Sequence, residues 1–423
     1  MPFLRDAGHA LLGGLRLADL AARDDVRTPF YAYDVDGIVA RAEALSAGYG
    51  GHPHHISFAV KASTAGRILR RLAAIGVGAD VVSGGELVVA LGSGMAPDDI
   101  VFSGVAKTDD EIDRALAAGP RGILALSAES LEEIGRLEAR AKIAGRVGRV
   151  SIRVKPGVVV DTHAHIATGH DEAKFGIARG DVPDALERIS RSSHLALQGI
   201  AMHIGSQMTD TTDYDRAAHV LCDLASAFLA SGRPLAYLDF GGGFGIDYGA
   251  GCPVSPADFA SRTVALVKER GLGHLRLLAE PGRSLVASEG VLVTRVIQTK
   301  AGDHGGWVFI DAGMNDLLRP ALYQARHRIE PVALDDRSEG TPSVTRRVCG
   351  PVCESSDDFG SYELPEITPS LLVIRDTGAY GFTMASQYNG RGLPDEVFVE
   401  GGEVTHVSRS ASADTWAEGR LAT

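Results

Sequence analysis

The residue best placed to do chemistry in this sequence is a lysine at the end of an apolar strand. Lys61 follows Phe58-Ala59-Val60 and stands where a helical pattern begins. Burial lowers the pKa of a lysine, and a neutral lysine amine forms Schiff bases with aldehydes. A lysine that only extends its ammonium group to solvent from a strand end would give the same local pattern. Lys61 alone therefore leaves both interpretations open.

Two later segments carry groups that suit a phosphate. The segment from His203 to Gln207 offers a flat ring for stacking, a glycine for close approach and a hydroxyl donor at Ser206. The glycine run from Gly241 to Gly245 can expose backbone N–H groups to an anion. A plain tight turn explains the glycines about as well, and a histidine inside the core would explain His203. Their joint occurrence at the ends of successive strands favours a phosphate site.

A carboxylate ends the next strand, in the sequence Glu280-Pro281-Gly282-Arg283. An anion that faces a pyridine nitrogen keeps this nitrogen protonated, and the protonated ring is the better electron sink for a carbanion. Glu280 suits that role. A salt bridge between Glu280 and Arg283 without any ligand is the alternative, and only the other motifs favour ligand binding over it.

The elements that must position these residues alternate between strand and helix. Helical spacing of apolar residues marks 65–74, 109–118, 129–144 and 214–230. Strand and helix in alternation predict a parallel sheet, and eight such units close into a (β/α)₈ TIM barrel with its site at the carboxyl ends of the strands. The fold class is therefore α/β. The predicted barrel strands are 56–60, 77–82, 100–103, 123–127, 150–154, 198–203, 235–240 and 275–280.

After Arg283 the pattern becomes mainly β, with few helical stretches. We predict three regions: an N-terminal segment at 1–35 that joins the β domain, a barrel at 36–283 and a C-terminal mainly-β domain at 284–423. A strand around 30–33 precedes a helix at 36–47, and 334–343 is predicted as an exposed loop. The predicted strands of the last domain are 286–299, 307–311, 344–349, 371–377 and 397–407.

Composition limits the possible partners and locations. A net charge of -12 in 423 residues argues against nucleic acid and anionic membranes. No segment is long and apolar enough for a membrane span, and Arg16 and Asp19 interrupt the one stretch that could be mistaken for a signal peptide. We expect a cytoplasmic protein. The four cysteines form neither a disulfide framework nor a zinc pattern, so no metal is predicted.

Several motifs, in this order, resemble the diaminopimelate decarboxylases, which belong to the fold-type III pyridoxal-phosphate decarboxylases. The resemblance covers nearly the whole chain and implies an alanine-racemase-like barrel, a C-terminal β domain and pyridoxal 5'-phosphate as cofactor. Each motif is modest alone, but the series is specific. The motifs are 58–63, Thr162-His163 with Ile166, Thr168 and Gly169, then 174–176, 203–207, 280–283, 311–323, 350–355, 378–381 and 386–389.

The resemblance implies a role for individual residues. Lys61 would be the Schiff-base lysine, His203 would stack on the cofactor and Glu280 would face its pyridine nitrogen. Cys353 would be the proton donor, supplied across a homodimer interface with shared active sites. The other residues that the resemblance assigns to the cofactor are Asp80, Ser206, Gly242, Gly243, Gly282, Arg283 and Tyr380, and those assigned to substrate are Arg283, Arg319, Tyr323, Glu354 and Tyr380.

The implied reaction is the decarboxylation of meso-2,6-diaminopimelate to L-lysine and carbon dioxide, in lysine biosynthesis. An inert buried thiol is the alternative for Cys353. A decarboxylase of ornithine, lysine or carboxynorspermidine is a second possibility, against which Arg319 and Tyr323 speak. A racemase would be expected to pair the pyridine nitrogen with a cation, and a catalytically silent binding homologue would lack Lys61 or Cys353. Lys155, Ala173 and 357–362 depart from the family pattern, and the last of these could alter the mouth of the site.

Overall fold

The structure is a computed structural model that describes residues 3–158, 174–302, 305–334 and 340–422. The motif around His163 and part of the predicted loop at 334–343 lie outside these ranges. The chain forms two compact units. The barrel unit comprises residues 41–246 and 252–284, and the β unit comprises 1–40, 247–251 and 285–423.

The first elements of the chain belong mostly to the β unit. A small antiparallel sheet precedes a longer strand and a helix that leads into the barrel unit. These elements are β1 (Phe3–Asp6), β2 (His9–Leu12), β3 (Leu15–Arg16), α1 (Leu17–Ala21), β4 (Phe30–Asp34) and α2 (Val35–Gly48).

Eight parallel strands close the barrel, which confirms the predicted (β/α)₈ architecture. The ring closes where β8 pairs with β9, and the two-residue strand β10 pairs with the last two residues of β9, beyond those that pair with β8. Near-continuous apolar runs form these strands because both faces of a barrel sheet are buried. The strands are β5 (His54–Ala59), β6 (Gly78–Val81), β7 (Ile100–Phe102), β8 (Ala125–Ala128), β9 (Gly148–Lys155), β10 (Ile177–Ala178), β11 (Leu195–Met202), β12 (Tyr237–Asp239) and β13 (Arg276–Ala279).

Helices follow the strands, and some of them begin at residues whose side chains cap the helix. Thr108 and Glu111 form a capping box, and the Ser130 hydroxyl accepts the Glu133 N–H at 3.1 Å. Such caps satisfy N–H groups that have no partner within the helix. The barrel helices are α3 (Gly66–Ala74), α4 (Gly84–Gly92), α5 (Asp109–Ala117), α6 (Leu131–Ile143), α7 (Val182–Arg191), α8 (Thr212–Ala230) and α9 (Pro256–Glu269), and α10 (Arg283–Val286) leads on toward the β unit.

The β unit is built around a mixed sheet. Its strand order is β18-β17-β15-β14-β4-β20-β21, and β19 pairs with both β14 and β16. The core includes Phe30, Val291, Val373 and Val397. The elements are β14 (Gly290–Lys300), β15 (Trp307–Ile310), α11 (Arg319–Tyr323), β16 (Ile329–Pro331), β17 (Ser343–Cys349), β18 (Asp358–Pro365), β19 (Leu371–Ile374), β20 (Asp395–Glu400), β21 (Glu403–Ser408) and α12 (Ala413–Leu421).

Two ranges differ from the predicted strands. The range 397–407 forms two strands of a hairpin, because Gly401 and Gly402 both adopt positive φ angles of 61° and 75° and turn the chain. The range 286–299 begins in α10, and its strand starts only at Gly290. Within the described ranges, no helix is both long and apolar enough to cross a membrane.

Candidate active site

Lys61 lies at the carboxyl end of β5, in a short 3₁₀ turn that follows the strand. Its Nζ donates to Asp80 Oδ2 at 2.6 Å, from the end of the neighbouring strand β6. Ser103, which follows β7, donates its hydroxyl to the other oxygen of Asp80. Asp80 is fully buried, whereas the Lys61 side chain is 36% exposed. Asp80 therefore holds a reachable lysine amine at the strand end.

The glycine run forms a tight loop after β12. A Cβ on Gly242 would collide with the Glu280 carbonyl oxygen, and one on Gly243 would collide with that of Gly205. Gly243 also has a φ of 91°, which other residues rarely adopt. Nearby, the Arg283 guanidinium donates to Ser206 Oγ at 3.1 Å. The loops after β11, β12 and β13 thus bring backbone, hydroxyl and guanidinium donors together, as a phosphate requires.

His203, just after β11, is held as a neutral ring. Burial lowers its pKa well below the usual value, and the positive charges of Arg153 and Lys61 lower this pKa further. Its Nδ1 accepts the Gly242 N–H at 3.2 Å, so this nitrogen carries no proton. A neutral ring fixed beside the glycine loop can stack on a flat ligand.

Glu280, just after β13, lies among other acids inside the barrel. Burial raises its pKa well above the usual value, and the nearby Asp239 and Asp80 raise it further. Lys61 and Arg153 act in the opposite direction. A carboxylate in this setting gains stability from a cation placed against it.

Asp239 is a site residue that the sequence analysis missed. It is the last residue of β12 and only 1% exposed, and its Oδ1 accepts the Gly241 N–H at 2.8 Å. Burial raises its pKa to about 7, and Asp80 contributes. The sequence contained a signal for this residue. An acid within an apolar barrel strand, near its carboxyl end, is unusual unless it has a functional role.

A second missed group is Glu129, after β8. Its carboxylate accepts from Arg153 at 3.1 Å and from the backbone N–H groups of Gly104 and Gly176 at 3.1 and 2.6 Å. The Arg153 guanidinium also lies 4.8 Å from the centre of the Phe175 ring. The recognised segment 174–176 thus contributes to the position of the arginine whose charge acts on His203 and Glu280.

In the β unit, Arg319 is buried and held by two aromatic groups. Its Nη1 donates to Tyr248 Oη at 3.1 Å and to His327 Nε2 at 2.8 Å. His327 Nδ1 donates to the Arg375 carbonyl at 2.8 Å, so His327 is neutral and fixed. Tyr323 lies one helical turn after Arg319, on the same face of α11. Tyr248 and His327 carried no signal in the sequence.

Cys353 is exposed in a loop that is anchored on several sides. Its N–H donates to Asn389 Oδ1 at 2.8 Å, and the Tyr388 hydroxyl donates to Glu354 Oε1 at 2.5 Å. Asp357 accepts the N–H groups of Val352 and Met314, both at 2.6 Å. The recognised segment 386–389 therefore holds the cysteine loop, and the first residue of the atypical segment 357–362 stabilises it.

The structure brings most predicted cofactor residues together at one end of the barrel. Each of these residues follows or ends a neighbouring strand: Lys61, Asp80, His203, Ser206, Gly242, Gly243, Glu280, Gly282 and Arg283. The remaining predicted residues belong to the β unit, where Tyr380 has an unusual φ of 56°. Backbone strain of this kind occurs often at functional positions.

Comparison with known proteins gives one consistent result. A family profile described as "Pyridoxal-dependent decarboxylase, pyridoxal binding domain" matches residues 35–287. Diaminopimelate decarboxylase of Pseudomonas aeruginosa is 40% identical over 400 residues, which cover 94% of this chain and 92% of the relative. The enzyme of the same name from Neisseria meningitidis serogroup B is 37% identical over 396 residues, 93% of each chain.

Solved structures agree with the sequence relatives. The crystal structure of Helicobacter pylori diaminopimelate decarboxylase complexed with L-lysine has a TM-score of 0.89 at 36% identity, and the match covers 96% of this chain and 100% of that one. The diaminopimelate decarboxylase of M. jannaschii, also in complex with L-lysine, has a TM-score of 0.90 at 31% identity, with 99% and 97% covered.

Proposed function

Because this chain belongs to the pyridoxal-dependent decarboxylases, and among them to the diaminopimelate decarboxylases, we propose that it converts meso-2,6-diaminopimelate to L-lysine and carbon dioxide. It is a lyase of lysine biosynthesis that uses pyridoxal 5'-phosphate. The observation that carries the proposal is the position of Lys61 beside Asp80, at the same barrel end as Glu280 and the glycine loop.

The residues present fit this cofactor. A side chain on Gly242 or Gly243 would collide with neighbouring backbone, so these glycines let the backbone of the loop lie close to a phosphate. Ser206, Gly282 and Arg283 complete the phosphate site in this proposal. The neutral His203 ring would stack on the cofactor. When bound, the cofactor supplies an electron sink for the pair of electrons that the departing carboxylate leaves behind.

Lys61 and Glu280 act on the two opposite ends of the reacting system. Lys61 would hold the cofactor through its amine, and Asp80 fixes the position of this amine. Glu280 would face the pyridine nitrogen and keep this nitrogen protonated, because a positive charge there offsets the cost of a buried carboxylate.

The β unit supplies substrate selection and a proton in this proposal. The Arg319 guanidinium, with Tyr323, binds the carboxylate at the far end of diaminopimelate, and Glu354 and Tyr380 contact substrate. Fixed by Tyr248 and His327, Arg319 is already ordered, so little conformational entropy is lost on binding. Cys353 Sγ then donates a proton to the α-carbon that has lost its carboxylate.

We further propose a homodimer in which each subunit lends its Cys353 loop to the active site of the other. The loop supports this role because it is exposed at Cys353 and yet anchored by Asn389 and Asp357. The proposal includes a cytoplasmic location, where the enzymes of amino-acid biosynthesis share their intermediates.

Measurement of carbon dioxide release from a panel of amino acids tests the proposed function. The purified protein, saturated with pyridoxal phosphate, is incubated with meso-diaminopimelate, ornithine, lysine and arginine. Release from diaminopimelate should exceed release from the other three by orders of magnitude. Preferred release from ornithine or lysine would assign another substrate, and no release from any of them would refute the proposal.

A further inference from the structure

The Asp239 and Glu280 side chains meet inside the barrel. β12 and β13 are parallel neighbours with Asp239 opposite Leu278, so the side chain of Glu280, two residues further on, lies on the same face. The two carboxyl groups are close enough that each shifts the pKa of the other. Glu280 is also tied to the loop after β12, because its N–H donates to the Gly241 carbonyl at 2.8 Å.

Only one oxygen of Asp239 has a conventional partner. Oδ1 accepts the Gly241 N–H at 2.8 Å. Within the part of the chain that the structure describes, no N–H or O–H donor reaches the buried Oδ2. A buried carboxylate oxygen without a donor is costly, since it has lost its hydration. Two ionised carboxylates cannot form a hydrogen bond, so the contact with Glu280 is favourable only when a proton lies between them.

The charges around the pair also favour such a proton. From β6, Asp80 faces the pair, and both Lys61 and Ser103 donate hydrogen bonds to its carboxylate. From β9, Arg153 is directed to Glu129 at 3.1 Å. The two cations near the pair thus have other acid partners, and burial raises the pKa of both members of the pair.

We propose that Asp239 is a positioning residue that shares one proton with Glu280 and so fixes the carboxyl group that faces the cofactor ring. The pair behaves as a single acid: one proton belongs to both residues, and its transfer between them breaks one O–H bond and forms another. The Gly241 N–H holds Asp239 in place, so the same residue links the glycine loop to Glu280. This inference rests on the proposed function for the role of Glu280, but the shared proton can be tested without catalysis.

The test is the pH dependence of unfolding of the full-length chain, first without added pyridoxal phosphate. In Asp239→Asn, the amide oxygen can still accept the Gly241 N–H, and the amide N–H can donate to Glu280. The amide does not titrate, so the variant lacks the shared proton. An acid whose pKa is raised on folding stabilises the native state at low pH and loses this contribution as the pH rises. Relative to Asp239→Asn, the unfolding constant of the wild type should increase about tenfold per pH unit between about pH 4 and 7.

Glu280→Gln provides the second arm. Because the two residues share one proton, this substitution should remove the same pH dependence, and the double variant should remove no more than either single one. Asp395→Asn is the matched control in the β unit. This buried aspartate accepts from Arg27 at 3.1 Å and from the Ser410 N–H at 2.9 Å, so its loss should destabilise the chain without removing that pH dependence.

Infrared spectroscopy gives a readout that does not depend on stability. In the difference spectrum of wild type minus Asp239→Asn at pH 6, the C=O stretch of a protonated carboxylic acid should be present, because the signals of other protonated acids such as Glu396 are common to both proteins and cancel. With pyridoxal phosphate added, Asp239→Ala should bind the cofactor at least about tenfold more weakly than Asp239→Asn, since it supplies no donor to Glu280. The shared proton would be refuted if the unfolding constants of wild type and Asp239→Asn changed in parallel with pH. It would also be refuted if the two substitutions had additive effects on this pH dependence in the double variant. Either result would leave the outcome of the substrate panel unaffected.

Discussion

Two buried acids of the β unit and two buried acids of the barrel have opposite surroundings. In the β unit, Asp357 and Asp395 are each surrounded by backbone N–H groups or an arginine, and they organise loops. In the barrel, Asp239 and Glu280 face each other instead. An acid that is surrounded by donors is stabilised in its charged form, whereas two acids that face one another need a positive charge or a proton between them.

Loss of Lys61 should have the largest effect. Lys61→Ala should lack detectable decarboxylation, because Lys61 supplies the amine at the carboxyl end of β5. In the wild type with pyridoxal phosphate, we expect an absorption band near ~420 nm that borohydride bleaches, with the label on Lys61. Lys107 is the internal control. It is a buried lysine that carbonyls of Gly104 and Ser127 hold at 2.7 Å, so its peptide should stay unlabelled. A protein that gains no such band is not a pyridoxal enzyme.

Arg319→Ala should have the next largest effect. It leaves the distal carboxylate of diaminopimelate without its cation, at a cost of about 2 to 5 kcal/mol, or a loss of about 30- to 5000-fold in kcat/KM. Cofactor binding, followed by absorbance, should change little. Arg319→Lys keeps the positive charge but loses the planar guanidinium, so its kcat/KM should lie between those of the wild type and Arg319→Ala. Wild-type activity in Arg319→Ala would show that Arg319 does not bind the distal carboxylate.

Mixing of two inactive variants tests the shared site. In a dimer of one Lys61→Ala and one Cys353→Ala subunit, one site receives both substitutions and the other receives neither. Random mixing should then restore about a quarter of wild-type activity. Subunit exchange is confirmed by mass. If activity stays absent although exchange occurs, Cys353 acts within its own chain or is not the proton donor.

The smallest effect concerns an acid in the β unit that resembles those of the barrel. Burial raises the pKa of Glu396 to about 7, and the Tyr33 hydroxyl donates to it at 2.9 Å. Its contribution to stability is present at low pH and lost as the pH rises toward 7. Between about pH 5 and 7, the free energy of unfolding of the wild type should therefore fall by about 1.4 kcal/mol per pH unit relative to that of Glu396→Gln. The exposed Glu403→Gln is the control in the same hairpin and should follow the wild type. Equal slopes for all three proteins would show that Glu396 is ionised throughout.

The sequence predicted those parts of the fold in which apolar residues recur at a regular spacing or form continuous runs. Apolar runs and helical spacing located the barrel strands, because a closed parallel sheet buries both faces. The hairpin at Gly401-Gly402 was missed, since its two strands have similar composition. Asp239 was overlooked because it lies within an apolar run that was interpreted only as a strand. Tyr248 and His327 are recognisable only from their contacts with Arg319. Contacts between residues distant in sequence leave no local pattern.

The place of β4 in its sheet has a consequence for the order of synthesis. β4 lies between β14 and β20, whose first residues are Gly290 and Asp395. During translation, this apolar strand must wait for both neighbours while the whole barrel is made. At about 5 to 20 residues per second, the delay before β14 emerges is about 13 to 50 seconds. For that time β4 exposes two unpaired edges, which are sites of aggregation. We expect the nascent chain to be most vulnerable at its beginning, and to depend on chaperones there until the last third of the protein is complete.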